Sequence, residues 1–405
     1  MKTTTFLQRL AGLEVWIVGA AVAASVALPR LLPVACLVAL VFWPLRWLAT
    51  GRLSRPTPVD GPILLLVLLL PLTLWVSALP DTTVPQVLRL LSGIGLFYAI
   101  VNWATAPERW RLALMGISLA GLGLSLFAPF SVEWGVEKLP FIPMGIYRRF
   151  AVVVSDAVNP NVMAGAVILL LPCTLALLLF AWRELGRVER WVYPICALAM
   201  STTLLLTQSR GALMGIVVAV ALLVVLRWRF GWLVVLLLGG GSAATVMSMG
   251  SQQVLDALTT SNSLGTFDQR LEIWDRALLM IRDFPFTGVG MGLFKPALDL
   301  LYPLFLGSSD KIPHAHNIFL QVAVDLGIPG LVAWLTIFAL VVVAAWQLLQ
   351  RGKRTRDTLT TALGAGLLAS QSALAIHGLT DAVTWGMVRT AVLVWVVWGL
   401  AFVEN

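Results

Sequence analysis

The stretch KIPHAHNIFLQVAVDLGIPG, residues 311–330, holds His314 and His316, two of the three histidines in the chain. A neutral imidazole titrates close to neutral pH and can take a proton from a hydroxyl there. His-x-His also suits a metal, but zinc takes four ligands, or three and a water. The third histidine, His377, is distant in sequence, and no acidic pair flanks the motif. Asp310 or Asp381 would have to complete such a set. General-base chemistry without metal or cofactor is therefore the preferred reading.

An imidazole does not choose a substrate, but cations beside it do. Placing them requires the elements that carry them. The chain has 405 residues, 59% hydrophobic and 12% charged, with mean hydropathy +0.90. Soluble domains carry about 25% charged residues, so here the membrane is the solvent. Apolar runs of the roughly 20 residues needed to cross a bilayer fall near 11–29, 31–48, 61–80, 86–106, 112–130, 158–182, 191–209, 211–227, 230–250, 326–350, 358–377 and 383–403. The expected fold is an all-α polytopic membrane protein with about twelve transmembrane helices. It divides into spans one to nine (1–250, with an outer loop at 131–157), a large outer helical loop (251–325) and spans ten to twelve (326–405). The first stretch has features of a cleaved signal peptide, but the topology needs it as a span. Cys36, Cys173 and Cys196 all lie in apolar runs and suggest neither disulfides nor zinc.

With the N-terminus in the cytoplasm, 16 of the 28 lysines and arginines fall inside, with seven of the 20 acids, giving faces of about +9 and about −1. That is the positive-inside pattern, and it reads the net charge of +8 as loop bias rather than nucleic-acid binding. Trp43, Trp47, Trp110, Trp182, Trp191, Trp228, Trp232 and Trp346 fall at the inner ends of spans, as an aromatic belt does. Both termini are then cytoplasmic and 251–325 is external, periplasmic in a Gram-negative cell.

Arginines on the outer face are not called for by topology. Arg210 to Arg227 is roughly 25 Å of helix, so Arg210 lies below the outer interface of a hydrocarbon core about 30 Å thick. Ionisable groups at such depth usually face a cavity or a partner. Arg30 and Arg389 lie slightly inside the same leaflet. In the outer loop, Phe267, Leu271, Trp274, Leu278 and Ile281 form an apolar helical stripe, with Thr266 and Gln269 as a capping box and Pro285 as the stop. Arg270 sits beside that stripe, within reach of Glu272 and Asp275 as surface partners. Gly288 to Gly292, GVGMG, lacks the lysine of a phosphate loop and reads as a flexible turn. Arg148 and Arg149 follow Tyr147 near the sixth span. Their planar forks suit a lipid phosphate.

These elements together resemble the O-antigen ligase and polymerase superfamily of bacterial lipopolysaccharide assembly. His316-Asn317, nine residues, then Gly327-x-x-Gly330 matches the ligase signature His-[Asn/Ser/Gln]-x9-Gly-x-x-[Gly/Thr/Tyr]. Ser209-Arg210-Gly211 and Arg270-x-x-x-Trp274 with Pro285-x-x-Gly288-x-Gly290 match two further superfamily elements, in the family order. The resemblance implies a C-type glycosyltransferase-like membrane fold. It also implies an inverting, metal-free transfer of glycan from undecaprenyl pyrophosphate to a sugar of the lipid A-core. In that reading His316 is the general base, and Arg210 and Arg270 are catalytic. Arg148, Arg149, Arg210, Arg270 and His314 bind the pyrophosphate or acceptor. The partners are the lipid-linked glycan, lipid A-core and membrane lipids, with no nucleic acid.

Three alternatives remain open at this stage: a polymerase joining lipid-linked units, a protein O-oligosaccharyltransferase, and a lipid-linked glycan transporter. Clustering of the candidate charges at one face favours an interfacial enzyme over a transporter, whose sites tend to lie at the midplane.

Overall fold

The computed structural model describes residues 2–134, 142, 144–150, 152–154, 157–248, 267–306, 308–310, 312–386 and 388–403. Among the described residues the regular elements are helices, apart from one isolated bridge between Val132 and Val158. The helices are α1 Lys2–Gly12, α2 Glu14–Ala27, α3 Leu32–Thr50, α4 Asp60–Val76, α5 Pro80–Trp103, α6 Pro107–Ser131, α7 Pro160–Phe180, α8 Glu189–Thr207, α9 Arg210–Arg227 and α10 Gly231–Ser248. They continue as α11 Phe267–Asp283, α12 Phe294–Leu300, α13 Ile318–Thr355, α14 Thr358–Gly378 and α15 Val392–Gly399.

Each of the twelve apolar runs overlaps a helix among the described residues, but they differ in reach. Among the described residues seven helices are long and apolar enough to cross a bilayer, or eight when the bent pair α1–α2 counts as one span. Asp60–Val76, Gly231–Gly241 and Arg389–Phe402 are shorter apolar helices. Pro29, Pro80, Pro107 and Pro160 open elements of the longer spans, at positions where a missing N–H costs nothing. The chain is a multi-pass all-α membrane protein. Its outward surface is the apolar one, with Leu236, Leu237 and Leu238 among many exposed aliphatic side chains, while α7 and α14 pack against each other in the interior.

Opposite ends of the bundle carry different chemistry. At one end the turns are tied by arginines. Arg46 pairs with the buried Glu14 and donates to Leu53 O, Arg111 pairs with Glu189, and Arg227 donates to Leu179 O. Trp47, Trp182, Trp191, Trp228, Trp232 and Trp346 are exposed. Trp110 departs from the expected belt: it is buried in the helical core, because helix packing claims its ring.

The outer-loop helix also departs from its expected stripe. Of the expected stripe, Trp274 and Ile281 pack against a small separate core, but Leu271 and Leu278 are exposed, and the core itself is built from Ile273, Ala277 and Met280 with Phe294, Leu298, Ile312 and Val324. The buried face lies a fraction of a turn away because α11 packs on α12 and the start of α13 rather than on lipid. Thr266, the expected cap, lies outside the described residues. Arg276, not Arg270, engages Glu272 and Asp275.

The His-Asn-x9-Gly spacing now has a structural cause. Asn317 caps α13 by accepting from Phe319 N and Leu320 N. After nine intervening residues the helix breaks at Gly327, whose φ of +69° and ψ of −176° no side chain tolerates well. The glycine turn seats in this break: Ile328 N donates to Pro285 O and Val289 N to Val324 O. Met291 N reaches Thr73 Oγ1, and Gly292 N reaches Asp325 Oδ1. GVGMG is thus a pinned turn rather than a flexible one. Its amides are spent on protein partners, not on an anion.

Candidate functional site

Three connections meet at the end of the bundle away from the arginine-tied turns. The first joins α8 to α9. Gln208 takes a left-handed conformation (φ +51°) that breaks the helix, and its Nε2 donates to Tyr147 Oη at 2.7 Å. Tyr147 Oη donates in turn to Leu206 O at 2.8 Å. This turn fixes Arg210 as the first residue of α9, half-buried. It also anchors the exposed Arg148 and Arg149, which follow Tyr147 on a 3-10 turn. A Cβ at Gly211 would collide with Thr380 Oγ1 and press on His377 Nδ1, so the Ser-Arg-Gly glycine is there to admit α14.

The second connection carries the histidine pair. His316 has φ +49°, and its backbone N–H donates to His314 Nδ1 at 3.1 Å. With Nδ1 accepting, the neutral His314 ring carries its proton on Nε2, 3.4 Å from Asp381 Oδ1. The two imidazoles lie edge to face, 4.4 Å apart. Between them Ala315 N donates to Gln321 Oε1 at 2.8 Å, and Gln321 Nε2 donates to Asp325 Oδ1 at 2.9 Å. Asp325 Oδ2 accepts from Trp385 Nε1 at 2.8 Å.

The third connection supplies the hub. Asp381 is buried, accepts from Ala382 N at 2.8 Å and Val383 N at 3.3 Å, and takes Asn161 Nδ2 at 2.9 Å. Burial alone would raise its carboxyl. Its facing imidazoles His314, His377 and His316, with the Ala382 N–H, outweigh that and hold it below the usual carboxylate range. Burial pushes His314 down, Arg270 adds to this, and Asp381 opposes it. Arg270 is likewise lowered by burial and by Arg210, against the attraction of Asp381. His377 is buried beside this group, and neither ring nitrogen has a hydrogen-bond partner among the described residues.

The structure therefore gathers His314, His316 and Arg270 around one carboxylate, with Arg210 near Arg270 and with Arg148 and Arg149 on an exposed turn that follows Tyr147. His314, His316 and Asp381 place ligand atoms within 4.8 Å of one another, the spacing of a metal trio. In the arrangement seen, His314 spends one nitrogen on the His316 N–H and turns the other toward Asp381, which accounts for the cluster by internal pairing.

Sequence reasoning considered Asp381 only as a metal ligand and did not single out Gln321 or Asp325. The signal was there for Asp325: a carboxylate in the otherwise apolar run VAVDLG marks a buried functional or structural site. Asn161 carries no comparable signal, since its role comes from a contact across 220 residues.

Cationic and imidazole side chains around a buried carboxylate, at one end of an apolar bundle, define a membrane protein with an interfacial polar site. Residues 195–335 match the family described as O-antigen ligase. That matched stretch holds Arg210, Arg270 and both loop histidines, and it supports a likeness to the O-antigen ligase and polymerase superfamily. A comparison with curated proteins found no match.

Proposed function

We propose that this protein transfers a glycan from undecaprenyl pyrophosphate to a sugar hydroxyl of the lipid A-core, with inversion, at the periplasmic face of the bacterial inner membrane. Both termini are cytoplasmic in this reading. The observation that carries it is that His314, His316 and Arg270 face the buried Asp381, with Arg210 close enough to Arg270 to repel it.

His316 takes the proton of the acceptor hydroxyl. The acceptor oxygen bonds to the anomeric carbon as the bond from that carbon to the phosphate oxygen breaks. The electron pair leaves with undecaprenyl pyrophosphate, and negative charge grows on the oxygen that Arg210 and Arg270 face. Preorganised cations at that point supply stabilisation without reorganising solvent. Arg148 and Arg149, exposed at the rim, hold the diphosphate in bidentate contacts. Asp381 and His314 fix the segment that presents His316, and Asn317 caps the helix behind it.

The test is purified protein with lipid-linked glycan, offered either lipid A-core or a second donor molecule, with and without excess chelator. Transfer to lipid A-core that survives chelation is the expected result. Elongation of the donor instead identifies a polymerase, and reversible loss in chelator assigns the His314–His316–Asp381 trio to a metal.

A further inference from the structure

Asp325 is the buried carboxylate of the run VAVDLG, two residues before the break at Gly327, and the reaction above gives it no task. Three N–H groups from three segments converge on it. Gly292 N, in the glycine turn beyond α11, reaches Oδ1 at 3.2 Å. Gln321 Nε2, one helical turn back on α13, reaches the same oxygen at 2.9 Å. Trp385 Nε1, in the connection after α14, reaches Oδ2 at 2.8 Å. Gln321 is buried as well, and its Oε1 accepts from Ala315 N, the residue between the two histidines.

The polarity of this chain of bonds has one solution. The Ala315 N–H can only donate, so Gln321 must turn its carbonyl oxygen toward it and its NH2 toward position 325. Gly292 N and Trp385 Nε1 are obligate donors too, so the side chain at 325 must accept on both of its terminal atoms. A carboxylate does this. An amide of the same shape does not, because its NH2 meets an N–H on one side or the other. Taking a carboxylate out of water is costly, and what is gained here is a clamp across three segments. The glycine turn sits directly against it, since a Cβ at Gly288 would meet the Asp325 carbonyl oxygen at 2.7 Å. Trp385 is four residues beyond Asp381, and its backbone N–H closes the intervening turn on Ala382 O. We infer that Asp325, acting through Gln321, is a positioning residue: it fixes the histidine segment against the Asp381 connection and the turn beyond α11, and so sets where His316 stands relative to Asp381 and Arg270. Its catalytic consequence rests on the transferase reading above; the clamp itself does not.

The test separates the two. The chain has three histidines, so histidine-selective 15N labelling of the protein in phosphatidylcholine nanodiscs leaves three rings to follow. Asp325→Asn is compared with the double variant Gln321→Glu/Asp325→Asn, with Gln321→Met and with Arg354→Gln, exposed at the opposite end, as control. The double variant moves the carboxylate to position 321, where it accepts from Ala315 N and from the new amide. The amide oxygen then accepts from Trp385 Nε1, and only the 3.2 Å bond from Gly292 is lost. Asp325→Asn is expected to shift the His314 and His316 ring signals and to lower kcat for transfer to lipid A-core about 10²-fold, the scale of a displacement of about 1 Å. The Kd for the undecaprenyl pyrophosphate-linked donor is expected to stay within about twofold of wild type, because the arginines are left in place. The double variant is expected to bring the ring signals back toward wild type and to recover at least about tenfold of that kcat. Gln321→Met, which removes the tether without transposing a charge, is expected to shift the same two rings and keeps the test valid if Asp325→Asn does not fold. Unmoved His314 and His316 signals in the single variants overturn the clamp. So does a double variant no better than Asp325→Asn, or a donor affinity that falls in step with kcat. If wild type transfers no glycan, the transferase reading fails, and the histidine spectra still decide the clamp.

Discussion

Asp381 illustrates how much of the site depends on single atoms. Its Oδ1 faces His314, while its Oδ2 is held by Asn161. Because burial depresses His314, with Arg270 adding, the His314 ring stays uncharged until the pH falls below the ordinary histidine value of about 6.5. Below that, a protonated His314 stands beside Arg270 and can no longer accept the His316 N–H, so activity is expected to fall on the acid side. Asp381 favours the charged imidazole. Asp381→Asn therefore moves the acid limb to lower pH while cutting the plateau rate by about tenfold or more. A pH–rate profile checks both. An acid limb that stays in place or rises would remove the carboxylate from the site's electrostatics.

The elements that position these atoms are held by backbone geometry more than by charge. Gly327 is the clearest case. Its ε-region conformation belongs essentially to glycine, and a Cβ there would run into Pro285 O and the Phe286 backbone. Gly327→Ala is expected to cost about 1–3 kcal/mol in strain and to lower the melting temperature in detergent. An unchanged melting temperature would show that the break is not set by this residue. The sequence spacing of this region was legible because each motif position has a local job: Asn317 caps, nine residues turn, Gly327 breaks. The face of α11 was not. Leu271 and Leu278 satisfy helical periodicity as well as Ile273 and Ala277 do, and which set is buried depends on α12 and α13, elements that periodicity within α11 cannot see.

Across the whole molecule, the division between an arginine-tied end and a histidine-bearing end was readable from loop charge. The fit of the third connection against the first was not, since Asn161–Asp381 and Gly211–Thr380 are long-range contacts. The assigned topology makes a direct prediction, helped by the burial of all three native cysteines. A membrane-impermeant thiol reagent should label Ser308→Cys from outside intact spheroplasts and spare Lys353→Cys, both positions being exposed. The reverse pattern would invert the protein in the membrane. The central claim is tested most directly by transfer to lipid A-core with purified wild type, His316→Ala, Arg270→Ala and Arg354→Ala. His316→Ala is predicted to lose about 10²–10⁴-fold in rate, the range for a positioned general base, while still binding donor. Arg270→Ala should lose about 10²–10³-fold, and Arg354→Ala should match wild type. Full transfer by His316→Ala, or equal losses in Arg270→Ala and Arg354→Ala, would contradict the account.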